Sequence, residues 1–312
     1  MPKELFSEAQ AFSCYPSSHE IDKWASDLLK KSHNMKTEVS ILPNSPIRIE
    51  FGNNPCTLQN KFIQFKTEEK RRTFYGYWQP SISSPAPLLI NLPGYGGFIN
   101  LHPQLADMGY HILHISPQGY VSPSGPDTSK TAPDGNWPVL HNTITGKPGG
   151  YEDWLTDCLL AIRWAVLQPD VLPDRLSVFG TSQGGGTALL LASILGSAVR
   201  CVCADIPFLT NFPSSSLKGN AYGILSPYRQ SVPEDIFWNR LGYIDTLSHA
   251  HRLHIPVMLS GGGQDEVCPP DTVESLFTKL SCTKQYTRLE HGVHTHSRES
   301  MVLFGAWLRL FA

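Results

Sequence analysis

The amino-acid sequence predicts a single α/β domain built on a mostly parallel, doubly wound sheet, with antiparallel strands in its N-terminal part. Three observations predict this class. Six short, nearly continuous apolar runs occupy the last two thirds of the chain, as expected for parallel strands buried on both faces. Segments with helical periodicity lie between these runs, which implies right-handed crossover connections. Earlier segments alternate apolar and polar residues, as half-exposed antiparallel strands do.

These patterns place the elements in chain order. The N-terminal third contains an amphipathic helix at residues 20–31 and three alternating strands at 47–51, 61–65 and 73–78. The six apolar runs are residues 87–92, 111–115, 176–179, 199–204, 257–260 and 286–289. The helices expected among and after them are residues 103–108, 151–168, 183–195, 271–280 and 298–310.

Two long segments interrupt the alternation. Residues 116–150 are rich in Gly, Pro, Asn and Asp, and residues 207–254 hold several aromatic residues in an irregular setting. Both follow the carboxyl ends of predicted strands, which is the edge where open α/β sheets bind ligands. We therefore predict one domain over residues 1–312, with an N-terminal extension at 1–60 and two loop or cap insertions that wall a pocket. Plain surface loops are the alternative.

Composition narrows the class of protein. A formal net charge of −2 over 312 residues favours neither a nucleic-acid partner nor binding to an anionic membrane. The first residues lack the apolar stretch of a secretory signal, and no apolar run has the roughly 18 residues of a membrane helix. The seven cysteines are scattered without a CxxC pair, which is typical of reduced thiols in a cytoplasmic protein rather than of structural zinc.

The most informative segment is Gly180-Thr181-Ser182-Gln183-Gly184. It lies between a predicted strand and a predicted helix, the context in which a G-x-S-x-G motif forms the nucleophile elbow of α/β-hydrolases. The serine then occupies a strained turn that exposes its hydroxyl, and Gly180 and Gly184 allow strand and helix to pack closely. Ser182 is the predicted nucleophile, against the alternative of an ordinary serine at a glycine-rich helix start.

A serine hydroxyl requires a base, and in this fold an acid and then a histidine follow the nucleophile in the chain. Asp265 comes just after the run at residues 257–260 and is the predicted acid. Its neighbour Glu266 and Asp205, which follows the run at 199–204, are the alternatives.

Three histidines follow the last predicted strand: His291, His294 and His296. The imidazole pKa near neutrality suits a group that takes and returns the serine proton. Spacing from the strand end favours His294, and the other two remain alternatives.

An oxyanion hole requires backbone N–H groups directed at the developing negative charge. One is expected from Gln183, the residue after the nucleophile. The other is expected from the loop after the run at residues 87–92, with Tyr95 in Pro93-Gly94-Tyr95-Gly96-Gly97 as the donor. The alternative for this loop is a plain glycine turn.

These motifs together resemble the acetyl xylan esterase and cephalosporin C deacetylase family of carbohydrate esterases. The likeness runs from about Lys61 onward and rests on the elbow extended by Gly185 and Gly186, on an Asp-x-x-x-Pro-Pro turn beginning at Asp265, and on three further segments, residues 93–97, 204–209 and 241–245. Aligned from the final strand, the family's catalytic histidine falls on His294.

The chain also departs from the family pattern. Pro93 stands where the family has histidine, Ser116 where it has the arginine of Arg-Gly-Gln, and Thr295 where it has glutamate after the catalytic histidine. The reaction class therefore carries over better than the substrate. The positions that the resemblance implies for substrate binding are Pro93, Gln118, Pro207 and Phe208.

The sequence thus predicts a serine esterase that removes small, acetyl-type acyl groups, with carbohydrate esters implied by the resemblance. The expected partner is a small-molecule ester, and the reaction requires neither a metal nor an organic cofactor. The family's ring-shaped hexamers imply a homo-oligomer. The alternatives are an amidase, a peptidase or a longer-chain esterase on the same fold, or a non-catalytic binding protein.

Overall fold

The computed structural model of the protein describes residues 6–42, 61–68, 72–95, 99, 101–215 and 218–312. The strand predicted at residues 47–51 lies outside these ranges. The other predicted strands and helices are confirmed, with boundaries that differ by a few residues.

Over the described residues, the sheet contains nine strands. In chain order they are Thr37–Leu42 (β1), Lys61–Thr67 (β2), Thr73–Gln79 (β3), Ala86–Leu92 (β4), His111–Ser116 (β5), Val171–Thr181 (β8), Val199–Asp205 (β9), Val257–Gly262 (β10) and Lys284–Leu289 (β11). Two further strands of two residues each, Val121–Ser122 (β6) and Gly125–Pro126 (β7), form a separate hairpin. The spatial order is β1-β2-β3-β5-β4-β8-β9-β10-β11. Neighbours from β5 to β11 are parallel, whereas β1, β2 and β3 are antiparallel. This confirms the predicted class.

Helices cover both faces of the sheet. They are Glu8–Ser13 (α1), Ser18–Asn34 (α2), Pro103–Asp107 (α3), Val139–Thr145 (α4), Tyr151–Ala165 (α5), Gln183–Leu195 (α6), Phe212–Ser215 (α7), Ser226–Arg229 (α8), Glu234–Gly242 (α9), Pro270–Lys279 (α10) and Arg298–Phe311 (α11). Short 3₁₀ turns lie at Pro117–Gly119, Thr128–Lys130, Gly196–Ala198, Asn220–Leu225 and Thr246–Arg252.

The core lies on the two faces of the parallel strands. Alternate residues of β8 show this division, because Val178 belongs to the larger core with α5 and α6, whereas Phe179 belongs to a smaller core with α3 and α11. Helix α6 is buried over nearly its whole length, which explains its continuous apolar sequence. The sheet therefore fixes the ends of β8, β9 and β10 beside one another.

Both predicted insertions contain short helices. Residues 116–150 include α4, and residues 207–254 include α7, α8 and α9. The second insertion is fixed by Asp245, whose buried carboxylate accepts the backbone N–H groups of Asn211 at 2.9 Å, Phe212 at 2.8 Å and Leu247 at 2.9 Å. Since unsatisfied buried groups are costly, these bonds secure the chain that leaves β9.

Within the described residues, no helix combines the length and the apolar composition that crossing a membrane would require. The six cysteines found there are all free thiols.

Candidate active site

Ser182 lies at the sharp turn between β8 and α6. Its backbone has φ 56° and ψ −120°, a left-handed conformation that residues other than glycine seldom adopt. Its N–H donates to the carbonyl oxygen of Asp205 at 2.9 Å. Its carbonyl accepts from the N–H groups of Gly186 at 3.1 Å and Phe208 at 2.9 Å. These bonds hold the turn at Ser182, the predicted nucleophile elbow, in its strained shape.

The flanking glycines are required by close packing, as predicted. A Cβ atom on Gly180 would lie 2.4 Å from the carbonyl carbon of Gly184. One on Gly184 would lie 2.1 Å from the carbonyl oxygen of Leu92 in β4. Both separations are far below van der Waals contact with rigid backbone, so a side chain at either position would force α6 away from the sheet.

A continuous hydrogen-bonded series connects the predicted acid, base and nucleophile. His294 Nε2 lies 2.9 Å from Ser182 Oγ, and His294 Nδ1 lies 2.8 Å from Asp265 Oδ2. The geometry fits a neutral imidazole whose Nδ1–H donates to Asp265 and whose bare Nε2 accepts the serine proton. Three residues separated by up to 112 positions in the chain therefore meet at one edge of the sheet.

Asp265 is held rigidly as the anionic end of this series. The residue is 3% exposed, and its Oδ1 accepts the backbone N–H groups of Val267 and Cys268, both at 2.8 Å. Because backbone donors stabilise a carboxylate, Oδ2 remains directed at His294. Glu266, the neighbouring alternative, has an exposed side chain.

The remaining alternatives form a separate pair. His296 Nδ1 lies 2.9 Å from Asp205 Oδ2, so neither residue takes part in the series through His294. His291 is exposed and its Nδ1 lies 3.5 Å from Gln264 Nε2. The structure thus brings His294 alone of the three histidines into hydrogen-bond contact with Ser182 among the described residues.

The two residues predicted as oxyanion donors lie on different elements. Gln183 is the first residue of α6 and is buried. Tyr95 follows Gly94, whose Cα lies beside the end of β8. The Tyr95 hydroxyl donates to Asn136 Oδ1 at 3.0 Å and accepts the Trp137 N–H at 3.1 Å, which ties the loop to the first insertion. Gly96 and Gly97 of the predicted oxyanion loop lie outside the described residues.

The four predicted substrate-binding residues have different surroundings. The backbone of Pro93 borders Gly184, and the backbone of Pro207 borders Gly185, so both line the elbow. Phe208 is 4% exposed and packs against Phe212 and Tyr222, with ring centroids 5.9 and 4.8 Å away.

Gln118 is hydrogen-bonded to other residues of the protein through both its backbone and its side chain. Its N–H donates to Asp157 Oδ2 at 2.9 Å, and its side chain donates to the Gly150 carbonyl at 3.4 Å. Burial raises the pKa of Asp157 to about 6, although the adjacent Arg72 guanidinium acts in the opposite direction. Gln118 is thus part of a buried polar network at the end of β5.

Cys268 is a site residue that sequence reasoning missed. Its thiol is buried, and burial followed by the charge of Asp265 raises its pKa well above the ordinary value, while a hydrogen bond with Ser182 lowers it. The thiol is therefore protonated at neutral pH and contributes a small apolar surface beside Ser182. Its position after Asp265 in the Asp-x-x-x-Pro-Pro turn is the signal that could have indicated it.

Comparison with known proteins identifies the family of this chain. The sequence profile of a family described as acetyl xylan esterase (AXE1) matches residues 50–304. Acetyl esterase Axe7A from Xylanibacter ruminicola is 26% identical over 287 residues, covering 88% of this chain. The chain spans 63% of the length of that curated relative.

Two solved structures share the fold. Acetyl xylan esterase 1 from Thermoanaerobacterium sp. JW/SL YS485 has a TM-score of 0.76 at 19% identity, with 95% of each chain covered. Acetyl xylan esterase from Paenibacillus sp. R4 has a TM-score of 0.74 at 20% identity, with 100% of each chain covered. The predicted α/β-hydrolase fold is confirmed.

Proposed function

Because the chain belongs to the acetyl xylan esterase family, we propose that it hydrolyses carboxylic esters through Ser182, His294 and Asp265. The observation that carries this proposal is the hydrogen-bonded series with spacings of 2.9 Å from Ser182 Oγ to His294 Nε2 and 2.8 Å from His294 Nδ1 to Asp265 Oδ2. Such a series activates a serine hydroxyl, which is otherwise a weak nucleophile.

The first half of the reaction acylates the enzyme. Ser182 Oγ attacks the ester carbonyl carbon while its proton passes to His294 Nε2. Asp265 stabilises the imidazolium that forms. The tetrahedral intermediate then collapses, the bond to the alcohol oxygen breaks, and His294 returns the proton to the leaving alcohol. Ser182 is left as an acyl ester.

The second half regenerates the enzyme. Water attacks the acyl carbonyl while His294 takes its proton, and collapse of the second intermediate releases the acid and restores the Ser182 hydroxyl. In both halves the N–H groups of Gln183 and Tyr95 are the proposed donors to the oxyanion. Each such donor is worth roughly 3 kcal/mol of transition-state stabilisation.

We further propose that the acyl group is small and that the leaving alcohol is a carbohydrate. The relative from Xylanibacter ruminicola is named as an acetyl esterase, which supports the acyl preference. Tyr95 supports the alcohol. Tyr95 is 43% exposed and its hydroxyl is fixed by Asn136 and Trp137, so its ring offers a held aromatic surface on the loop after β4. Sugar rings present apolar C–H faces to such surfaces.

The triad is tested with p-nitrophenyl acetate. We expect Ser182→Ala and His294→Ala each to lower kcat by roughly 10³-fold or more, because the nucleophile or its base is lost. His291→Ala is the matched control, since this exposed histidine lies in the same loop without contacting Ser182. Turnover retained by Ser182→Ala would refute the mechanism, and a loss in His291→Ala equal to that in His294→Ala would refute the assignment of the base.

Acyl preference is tested with p-nitrophenyl esters from acetate to octanoate. We expect kcat/KM to be highest for acetate and to fall with each added pair of methylenes, in line with the relative that is named as an acetyl esterase. Tetra-acetyl xylose serves as the carbohydrate substrate. A maximum at octanoate would contradict the small-acyl proposal without affecting the triad.

A further inference from the structure

A second carboxylate–histidine pair lies beside the triad and takes no part in the reaction proposed above. It consists of Asp205 at the end of β9 and His296, two residues after His294 in the same loop. We propose that this pair positions His294, by holding its loop at the working distance from Ser182. The inference rests on the proposed function, because it assigns a role relative to that nucleophile and base.

Asp205 is a rigid anchor. The residue is 1% exposed and ends a strand that pairs with β8 on one side and β10 on the other. Its Oδ1 accepts the hydroxyl of Ser260 in β10 at 2.5 Å, while its Oδ2 lies 2.9 Å from His296 Nδ1. A buried carboxylate with both oxygens engaged has little freedom to move.

The same residue holds the nucleophile. The carbonyl oxygen of Asp205 accepts the N–H of Ser182 at 2.9 Å, and its carboxylate holds the loop that bears His294. One residue therefore connects the two groups between which the proton moves. Thr181 reinforces the junction, since its hydroxyl lies 3.4 Å from Asp205 Oδ2 and 3.3 Å from His296 Nδ1.

The loop needs such an anchor. It runs from β11 to α11 over residues 290–297 without forming a strand, and much of it is exposed. His294 is attached through Asp265, which lies beyond β10, and His296 is attached through Asp205, which ends β9. The Gln264 N–H also donates to the Gly292 carbonyl oxygen at 2.9 Å, so both of these contacts join the loop to the segment that follows β10. The bond from His296 to Asp205 adds an attachment to the end of a second, adjacent strand.

The Asp205 end of the pair is buried, whereas the His296 side chain is 34% exposed. The neighbouring ring is the buried His102, with centroids 6.0 Å apart. Burial, reinforced by His296, lowers the pKa of His102 to about 3, so this neighbour is uncharged at neutral pH. Neutral His296 donates its Nδ1–H to Asp205, and protonated His296 does so as an ion pair. The hydrogen bond from His296 to Asp205 therefore forms whether His296 is neutral or protonated.

The test compares His296→Ala with His296→Asn, in which the amide nitrogen replaces Nδ1 as donor. For p-nitrophenyl acetate we expect His296→Ala to lower kcat by 10- to 100-fold with KM changed less than twofold, because a misplacement of about 1 Å costs rate rather than binding. His296→Asn should recover at least tenfold of the loss. The rate of Ser182 labelling by a fluorophosphonate should follow kcat.

Three controls distinguish a positioning role of His296 from misfolding and from failure of the proposed function. His291→Ala, in the same loop, should retain wild-type kcat, and thermal unfolding of every variant reports whether it is folded. A folded His296→Ala variant with kcat within twofold of wild type would overturn the positioning role. Equal losses in His296→Ala and His296→Asn would also overturn it. Because Ser182→Ala is measured alongside, failure of the proposed function appears separately as turnover without the serine.

Discussion

At the scale of single residues, strain is concentrated around the nucleophile. Ser182 has φ 56°, and three residues of the segment that follows β9 also have positive φ: Ile206 at 38°, Leu209 at 63° and Asn211 at 55°. Each such conformation costs of order 1–3 kcal/mol and persists only where the surroundings enforce it. Here the bond from the Phe208 N–H to the Ser182 carbonyl oxygen enforces it, as do the bonds from the Asn211 and Phe212 N–H groups to the Asp245 carboxylate. The strained backbone lowers the stability of the fold, and it raises the Ser182 hydroxyl into an accessible position.

Residues next to strand ends were predictable from the sequence for a physical reason. Parallel strands present their carboxyl ends at one edge, so polar residues that follow β8 and β10 must approach one another. The choice among three histidines did not follow from spacing alone, because it depends on the path of an irregular loop. Spacing favoured His294, but the partnership of Asp205 with His296 was not foreseen, and each had been considered only as an alternative member of the triad.

Hydrogen bonds and ion pairs between residues that are far apart in the chain could not be predicted from the sequence either. Gln118 was implied as a substrate contact by resemblance, and nothing in its local sequence indicated that Asp157 would accept its N–H. Arg72, which pairs with the same carboxylate, is 85 positions away in the chain. Such pairs form because a buried carboxylate requires compensation, and the fold decides which cation supplies it.

At the scale of secondary-structure elements, burial on both faces made the central parallel strands recognisable, whereas β11 was predicted although it lies at the edge of the sheet and has no buried residue. The apolar runs of β4, β5, β9 and β10 arise because both faces of these strands are covered. Strand β1 was missed. It lies at the edge of the sheet and is only half-buried along its length, so its sequence carries neither a continuous apolar run nor a clear alternation.

The glycine-lined start of α6 is the element contact on which the elbow depends, and it yields a prediction. A Cβ atom on Gly186 would lie 2.0 Å from the carbonyl oxygen of Phe208. We expect Gly186→Ala to lower the free energy of unfolding by about 3 kcal/mol, the upper part of the usual range for overpacking. It should also lower kcat, because Phe208 N–H holds the Ser182 carbonyl. Denaturant unfolding and p-nitrophenyl acetate turnover measure the two effects.

Gly223 provides the matched control for that substitution. It is exposed, lies in a 3₁₀ turn, and a Cβ atom there would meet nothing within 4 Å. Gly223→Ala should therefore change the free energy of unfolding by no more than about 0.5 kcal/mol. Equal stability of the Gly186 and Gly223 variants would show that α6 can withdraw from the segment after β9 without cost.

At the scale of the whole molecule, buried ionisable groups set the response of stability to acid. Burial lowers the pKa of His249 to about 4 and that of His102 to about 3, and it holds the pKa of His114 well below the ordinary value. In the unfolded chain these histidines have an ordinary pKa of about 6.5. Two carboxyls act in the opposite sense, because burial raises the pKa of Asp157 to about 6 and also raises that of Asp245.

Whether a buried group raises or lowers stability as the pH changes depends on which state, folded or unfolded, binds more protons. Above about pH 6.5 a buried histidine is neutral in both states, and its contribution to stability is fully present. Between about pH 6.5 and its folded pKa, the unfolded chain binds a proton that the folded protein does not, so stability falls as pH falls. The raised carboxyl pKa values oppose this, because there the folded state binds the additional proton. The pH dependence of the unfolding free energy therefore contains contributions of both signs. The contribution of a single histidine is obtained as the difference between the wild type and a variant that lacks it.

His249 is suited to that measurement. Its ring is fully buried between Ser193 Oγ, 2.7 Å from Nδ1, and the Tyr243 carbonyl oxygen, 3.0 Å from Nε2. His249→Gln removes the proton site. Relative to wild type, the variant should gain about 1.4 kcal/mol of unfolding free energy for each pH unit between about pH 6 and 4, whatever its stability at pH 7. Denaturant unfolding at half-unit steps measures this difference. A difference that stays constant with pH for His249→Gln would mean that the buried ring takes up its proton without unfolding.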